Sequence, residues 1–181
     1  MEEEAFEFFK ETKETYANDE ESLSVLYRAM GEALIGVDLF EAAILVINEA
    51  IETLGEDIEF LWLQMERYVA LGLSDQVAET GNKIESISPF DSLSWHRMGV
   101  LYNEIQDYDK AIEAFEFAQN LDFPDKKKIL FELLKVYEKN GNPEKALEKA
   151  KELLHLYPDS YFVNLSAASL SAEMENWPEA I

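Results

Sequence analysis

At 181 residues, with 48% hydrophobic and 12% aromatic content, the chain is long enough to bury a sizeable core as one domain or a small repeat array. Its 15 Lys/Arg against 38 Asp/Glu give a net charge of −23, a field that repels phosphate backbones and anionic lipid. Nucleic acid and membrane surfaces are therefore not expected as partners, whereas a basic protein surface is compatible. The absence of cysteine excludes disulfides, thiol nucleophiles and thiolate metal sites and agrees with a reducing compartment.

The charge is lopsided. Residues 1–125 hold 7 Lys/Arg against 29 Asp/Glu, while residues 126–181 hold 8 against 9. No run approaches about 18 apolar residues, the length that a spanning helix needs, and "MEEEAFEFFK" carries acids where a secretory signal needs basic and apolar residues. A cytoplasmic chain is the expectation. In residues 2–16, Phe6, Phe9, Lys13 and Tyr16 fall at helical spacing, predicting a helix that caps the array or forms the second half of a preceding unit; Met1 in front favours the cap.

Next comes "YRAMGEAL", Tyr27 to Leu34, which returns 68 residues later as "WHRMGVLY", Trp95 to Tyr102. That interval is twice 34. Steps of 34 or 35 residues from Ala111 land on Ala43, Val77, Ala146 and Ala180. Such a period marks a repeat of one supersecondary unit.

The first unit runs Tyr27, Met30-Gly31, Leu34, Phe40, Ala43-Ile44, Ala50 and ends at Gly55. The second keeps Tyr68, Gly72 and Pro89 but has Met65 and Val77 at the small positions, so its two helices are expected to sit further apart. The third is the clearest: Trp95, Met98-Gly99, Tyr102, Tyr108, Ala111-Ile112, Phe115, Ala118 and Pro124. The fourth runs Leu130, Leu133, Tyr137, Gly141, Ala146, Ala150 and Pro158, and a fifth opens at Tyr161 and breaks off at "NWPEAI". Small residues such as Gly31 with Ala43, or Gly99 with Ala111, allow two antiparallel helices to approach, and Tyr68, Tyr102 and Tyr137 fill the space beside them.

Helix starts recur in the same register: Asp38 with Glu41, Ser74, Asp107, Asn142 with Pro143, and Asn176 with Glu179 precede the second helix of each unit. Pro89, Pro124 and Pro158 stop those helices, and Asp91, Asp125 and Asp159 are in place to cap the next.

Over residues 24–181 the pattern resembles the tetratricopeptide repeat, whose signature is W-x2-L-G-x2-Y followed by A, F, A and P. The resemblance implies an all-α fold, a right-handed superhelical solenoid of antiparallel helix pairs. It implies full repeats at 24–57, 58–91, 92–126 and 127–160, a partial repeat at 161–181, and 1–17 as the capping helix or half repeat, all in one array.

Catalytic chemistry finds no support. His96 and His155 lie in different repeats without metal-ligand spacing, and there is no phosphate loop or nucleophile elbow. "DYDKAIE", Asp107 to Glu113, lacks the glycine of a calcium loop and is accounted for as a helix cap. No enzyme activity, metal or cofactor is expected. Asn164-Leu165-Ser166 matches a glycosylation sequon but falls within a predicted helix, so it is incidental.

By resemblance, first helices line a concave groove that receives a peptide or helix of a partner protein. The groove positions are then Arg28 and Glu32, Trp62 and Glu66, His96 and Val100 with Asn103 beyond, Phe131 and Lys135, and Leu165 and Ser169. A one-residue shift of the second unit would instead make Trp62 its core tryptophan. The carboxylate clamp of chaperone-binding relatives is not matched, since its places read Arg28, Glu32, Leu63, Leu93 and Arg97. Two further expectations are self-association through an open repeat end, and a regulatory role beside a domain outside this chain.

Overall fold

The computed structural model of the chain describes residues 2–175, and the side chains of residues 6–174. The expected features at Ala180 and at Asn176 with Glu179 lie outside the described residues. All regular structure among them is α-helical: α1 (Glu2–Thr15), α2 (Glu20–Ile35), α3 (Phe40–Leu54), α4 (Ile58–Ala70), α5 (Ser74–Ile87), α6 (Ser92–Glu104), α7 (Tyr108–Asn120), α8 (Lys126–Lys139), α9 (Pro143–Leu156) and α10 (Tyr161–Glu175). The chain forms two compact units, Met1–Ile87 with α1 to α5 and Ser88–Ile181 with α6 to α10.

In the first unit, α2 packs on α3 and α4 on α5 as hairpins, and α3 bridges to α4. Tyr27, Leu34, Ala43, Ile47, Ala50 and Phe60 form its core. The N-terminal helix joins that core through Phe9, whose ring meets Tyr27 edge-on at 5.5 Å, and through an ion pair of Lys13 with Glu49. In the second unit, α6 pairs with α7, α8 with α9, and α9 carries α10. Its interior holds Ala111, Phe115, Leu130, Leu133, Tyr137 and Ala146. The Tyr137 hydroxyl donates to the Glu116 carboxylate, and burial, helped by that acceptor, pushes its pKa well up. Tyr102 is likewise enclosed, but Tyr68 is only half-buried.

One turn closes all four hairpins. The second or third residue past the first helix of each adopts positive φ: Asp38 at 60°, Gly72 at 68°, Gln106 at 63° and Gly141 at 66°. The next amide then reaches back to a carbonyl five residues earlier: Leu39 to Leu34, Leu73 to Tyr68, Asp107 to Tyr102 and Asn142 to Tyr137, at 2.9–3.0 Å. This satisfies carbonyls that the helix end leaves unpaired and reverses the chain.

The turn corrects one expectation. Asp38 does not cap α3; it occupies the left-handed position, which Asp tolerates better than most residues, and Leu39 precedes the helix without any side-chain cap. Asp107 and Asn142, one place later in their own turns, accept from the amides of Lys110 and Lys145 as expected. Asp91 accepts from Leu93 and Ser94, and Asp125 from Lys128. Asp159 is not the residue before α10, because that helix starts at Tyr161 and Ser160 precedes it.

In the first and third hairpins a glycine of the first helix faces the second helix, but not against alanine. A Cβ added at Gly31 would meet Ile47 at 3.5 Å, an ordinary contact, whereas one at Gly99 would lie 2.6 Å from the Phe115 ring. In the second hairpin the sizes are exchanged by register. Met65 stands where Gly99 does, and the buried Gly81 stands where Phe115 does. Met65 and Val77 are both fully enclosed.

Candidate protein-binding face

The most developed candidate face lies on α8 and α10 of the second unit. Asp125 caps α8, and the helix turns Ile129, Leu130, Leu133, Leu134, Val136 and Tyr137 inward. That leaves Lys127, Phe131 and Lys135, four residues apart, along one outer stripe. Phe131 is half-buried and its ring lies 5.3 Å from that of Phe162, which is 51% exposed. The Lys135 ammonium sits 4.3 Å from the Phe131 ring centroid, and that of Lys127 sits 4.7 Å from Tyr157. Leu165, 56% exposed, and Ser169 also lie at the surface of α10.

Two lysines set the electrostatics of this stripe. Among the described residues neither Lys127 nor Lys135 forms an ion pair within 4.0 Å, although Lys135 stands close enough to Glu138 to favour its charged form. Burial nevertheless raises the Glu138 carboxyl above its usual range, with Glu173 adding to the rise.

Two groove positions taken from the sequence belong to the interior instead. Trp62 is 4% exposed and forms part of the core of the first unit, the alternative that a shift of register allowed. His96 is 8% exposed, stacks on Phe123 at 4.5 Å and lies 5.7 Å from Phe115. Both rings are large enough to fill the crevice beside their own helix instead of standing out from it. His96 Nε2 has no hydrogen-bond partner among the described residues, and burial, reinforced by Lys128, lowers its pKa below the usual 6.5.

The others are distributed more loosely. Val100 is half-buried, and the Asn103 amide oxygen accepts from Lys139 at 2.9 Å, which ties it sideways to α8. In the first unit Arg28 is half-buried and Glu32 exposed, while Glu66 pairs with Arg67 at 3.1 Å. Lys127, Tyr157 and Phe162 are members of the α8–α10 face that the sequence reading missed. Lys127 had a visible signal, four residues before Phe131, and Phe162 another, three before Leu165.

Two segments match family models for the tetratricopeptide repeat, residues 93–125 and 135–160. The chain contains tetratricopeptide repeats. Solved structures agree with its fold. MamA from Desulfovibrio magneticus RS-1, residues 41 to its end, superposes with a TM-score of 0.66 at 21% identity, covering 88% of this chain and 87% of that one. A tetratricopeptide repeat protein from Parabacteroides merdae gives 0.65 at 16% identity, covering 95% and 74%. PilF of Pseudomonas aeruginosa gives 0.62 at 16% identity, covering 87% and 72%. No curated protein sequence matches the chain significantly.

Tetratricopeptide repeats act in general as protein-interaction scaffolds, and the two matched segments support that broad role here. Among the described residues no group of three His, Cys, Asp or Glu is placed to hold a metal ion, and no helix is long and apolar enough to cross a membrane.

Proposed function

We propose that the chain binds a peptide or helix of a partner protein, without catalysis, on the first-helix face that Phe131, Lys135 and Leu165 present in the second unit. Arg28, Glu32 and Glu66 extend the same role to the first unit, and Val100, Asn103 and Ser169 border it in the second. Trp62 and His96 support the face from behind as packing residues. The protein works in the cytoplasm, with no cofactor.

The observation that carries this reading is the half-buried Phe131 ring set against the exposed Phe162, with an ammonium held against it. Aromatic side chains concentrate interface energy, at about 2 kcal/mol or more for each hot spot, and among the described residues Phe162 and Leu165 stay more than half exposed.

The test is quantitative mass spectrometry on lysate captured by wild type and by a Phe131→Ala, Lys135→Glu variant of unchanged helical circular dichroism. A discrete set of proteins lost from the variant supports the reading. Identical captures contradict it.

A further inference from the structure

The overall charge suggests a basic partner, but the α8 stripe has the opposite character. Lys126, Lys127 and Lys128 occupy the first turn of α8, with no acid there. A helix N-terminus carries partial positive charge and favours Asp or Glu, so these lysines stand against the helix that bears them. All three are exposed. In a chain with 38 acids, the Lys127 and Lys135 ammonium groups lie over aromatic rings and form no ion pair within 4.0 Å among the described residues. Local helix stability does not explain this placement.

Resting on the proposed binding role of this face, we infer that its occupant is an extended acidic peptide with the pattern acid-x-apolar-x-acid. Lys127 and Lys135 are eight residues apart on one helix, about 12 Å at 1.5 Å per residue. In an extended chain, residues four apart are separated by about 13 Å and point to the same side, with the residue midway between them pointing that way too. Two carboxylates of such a peptide reach the two ammonium groups while the apolar side chain between them lands on Phe131, Phe162 and Leu165. The lysine stems and rings supply apolar contact around each charge, which shields it from water.

The experiment is an amide NMR titration of the full 181-residue chain with two synthetic peptides, Ser-Glu-Ser-Leu-Ser-Glu-Ser and its Lys-for-Glu counterpart. The acidic peptide is expected to shift α8 and α10 amides saturably. Lys127→Glu and Lys135→Glu should each weaken it at least ten-fold, whereas Lys151→Glu, exposed on α9, should leave it unchanged. Tighter binding of the basic peptide at the same amides would overturn the charge assignment and leave the binding face intact. Loss of both bindings would overturn the inference, and the capture comparison above decides separately whether the face binds any protein. Equal weakening by Lys151→Glu would overturn it as well, by reducing the effect to general charge.

Discussion

At the scale of single residues, two glycines with the same role in the repeat differ in what they tolerate. Gly99 lies so close to Phe115 that an added methyl has no room, while Gly31 faces Ile47 at contact distance. Gly99→Ala is predicted to destabilise the protein by about 1–3 kcal/mol, the usual cost of overpacking. Gly31→Ala should be neutral or gain up to about 1 kcal/mol, because alanine favours helix over glycine. Urea unfolding of the two variants checks both. Sequence showed the glycines and their interval but not their neighbours, since the contacting side chain lies one helical turn beyond the alanine that the repeat signature marks.

His96 gives a second prediction at this scale. Its pKa in the fold lies below the usual 6.5 because it is buried, with Lys128 adding to the effect and Asp125 opposing it. The unfolded chain therefore binds the proton more readily, and the stability tied to neutral His96 is present above about pH 6.5 and is lost as the pH falls below it. A His96→Phe variant should remove this loss. The stability difference between variant and wild type should widen from pH 8 to pH 5.5; a constant difference would contradict the assignment. No sequence signal separated this histidine from the exposed groove position of the repeat, because packing by Phe123 and Phe115 decides it.

Among the elements, the four hairpin turns share one backbone conformation with different residues. Gly72 and Gly141 adopt it freely, whereas Asp38 and Gln106 adopt it with a side chain. A non-glycine residue there costs about 1–2 kcal/mol relative to its right-handed form. Gly141→Ala is predicted to lose about 1 kcal/mol, and Gln106→Gly to be neutral or gain up to about 1 kcal/mol, with thermal unfolding as the measure. The helices themselves were legible because caps, prolines and the 34-residue interval agreed. Asp38 was misplaced by one residue because an Asp before a helix reads as a cap, and only the positive φ shows that it belongs to the turn. Lys127 and Phe162 escaped the candidate site for a related reason: the family register marks two positions per helix, while a real face extends to the turns on either side.

Over the whole chain, net charge is the strongest long-range force that sequence alone made visible. The first unit holds 5 Lys/Arg against 21 Asp/Glu and the second 10 against 17, so each compact unit repels itself. Salt screens that repulsion. Raising NaCl from about 20 mM to about 0.5 M is predicted to increase the melting temperature by about 3 °C, the shift that about 1 kcal/mol produces in a chain of this size. A melting temperature that fell with salt would mean that attractive ion pairs outweigh net repulsion.

The central claim is that the α8–α10 face, and not the outer surface of the second helices, meets the partner. Photo-crosslinking tests it most directly, with a benzophenone amino acid placed at Leu165 in one variant and at Leu45 of α3, 70% exposed, in another. The account predicts discrete protein adducts from position 165 that disappear when Phe131 is also changed to Ala, and none from position 45. Adducts from position 45 alone, or adducts at 165 indifferent to Phe131, would contradict it.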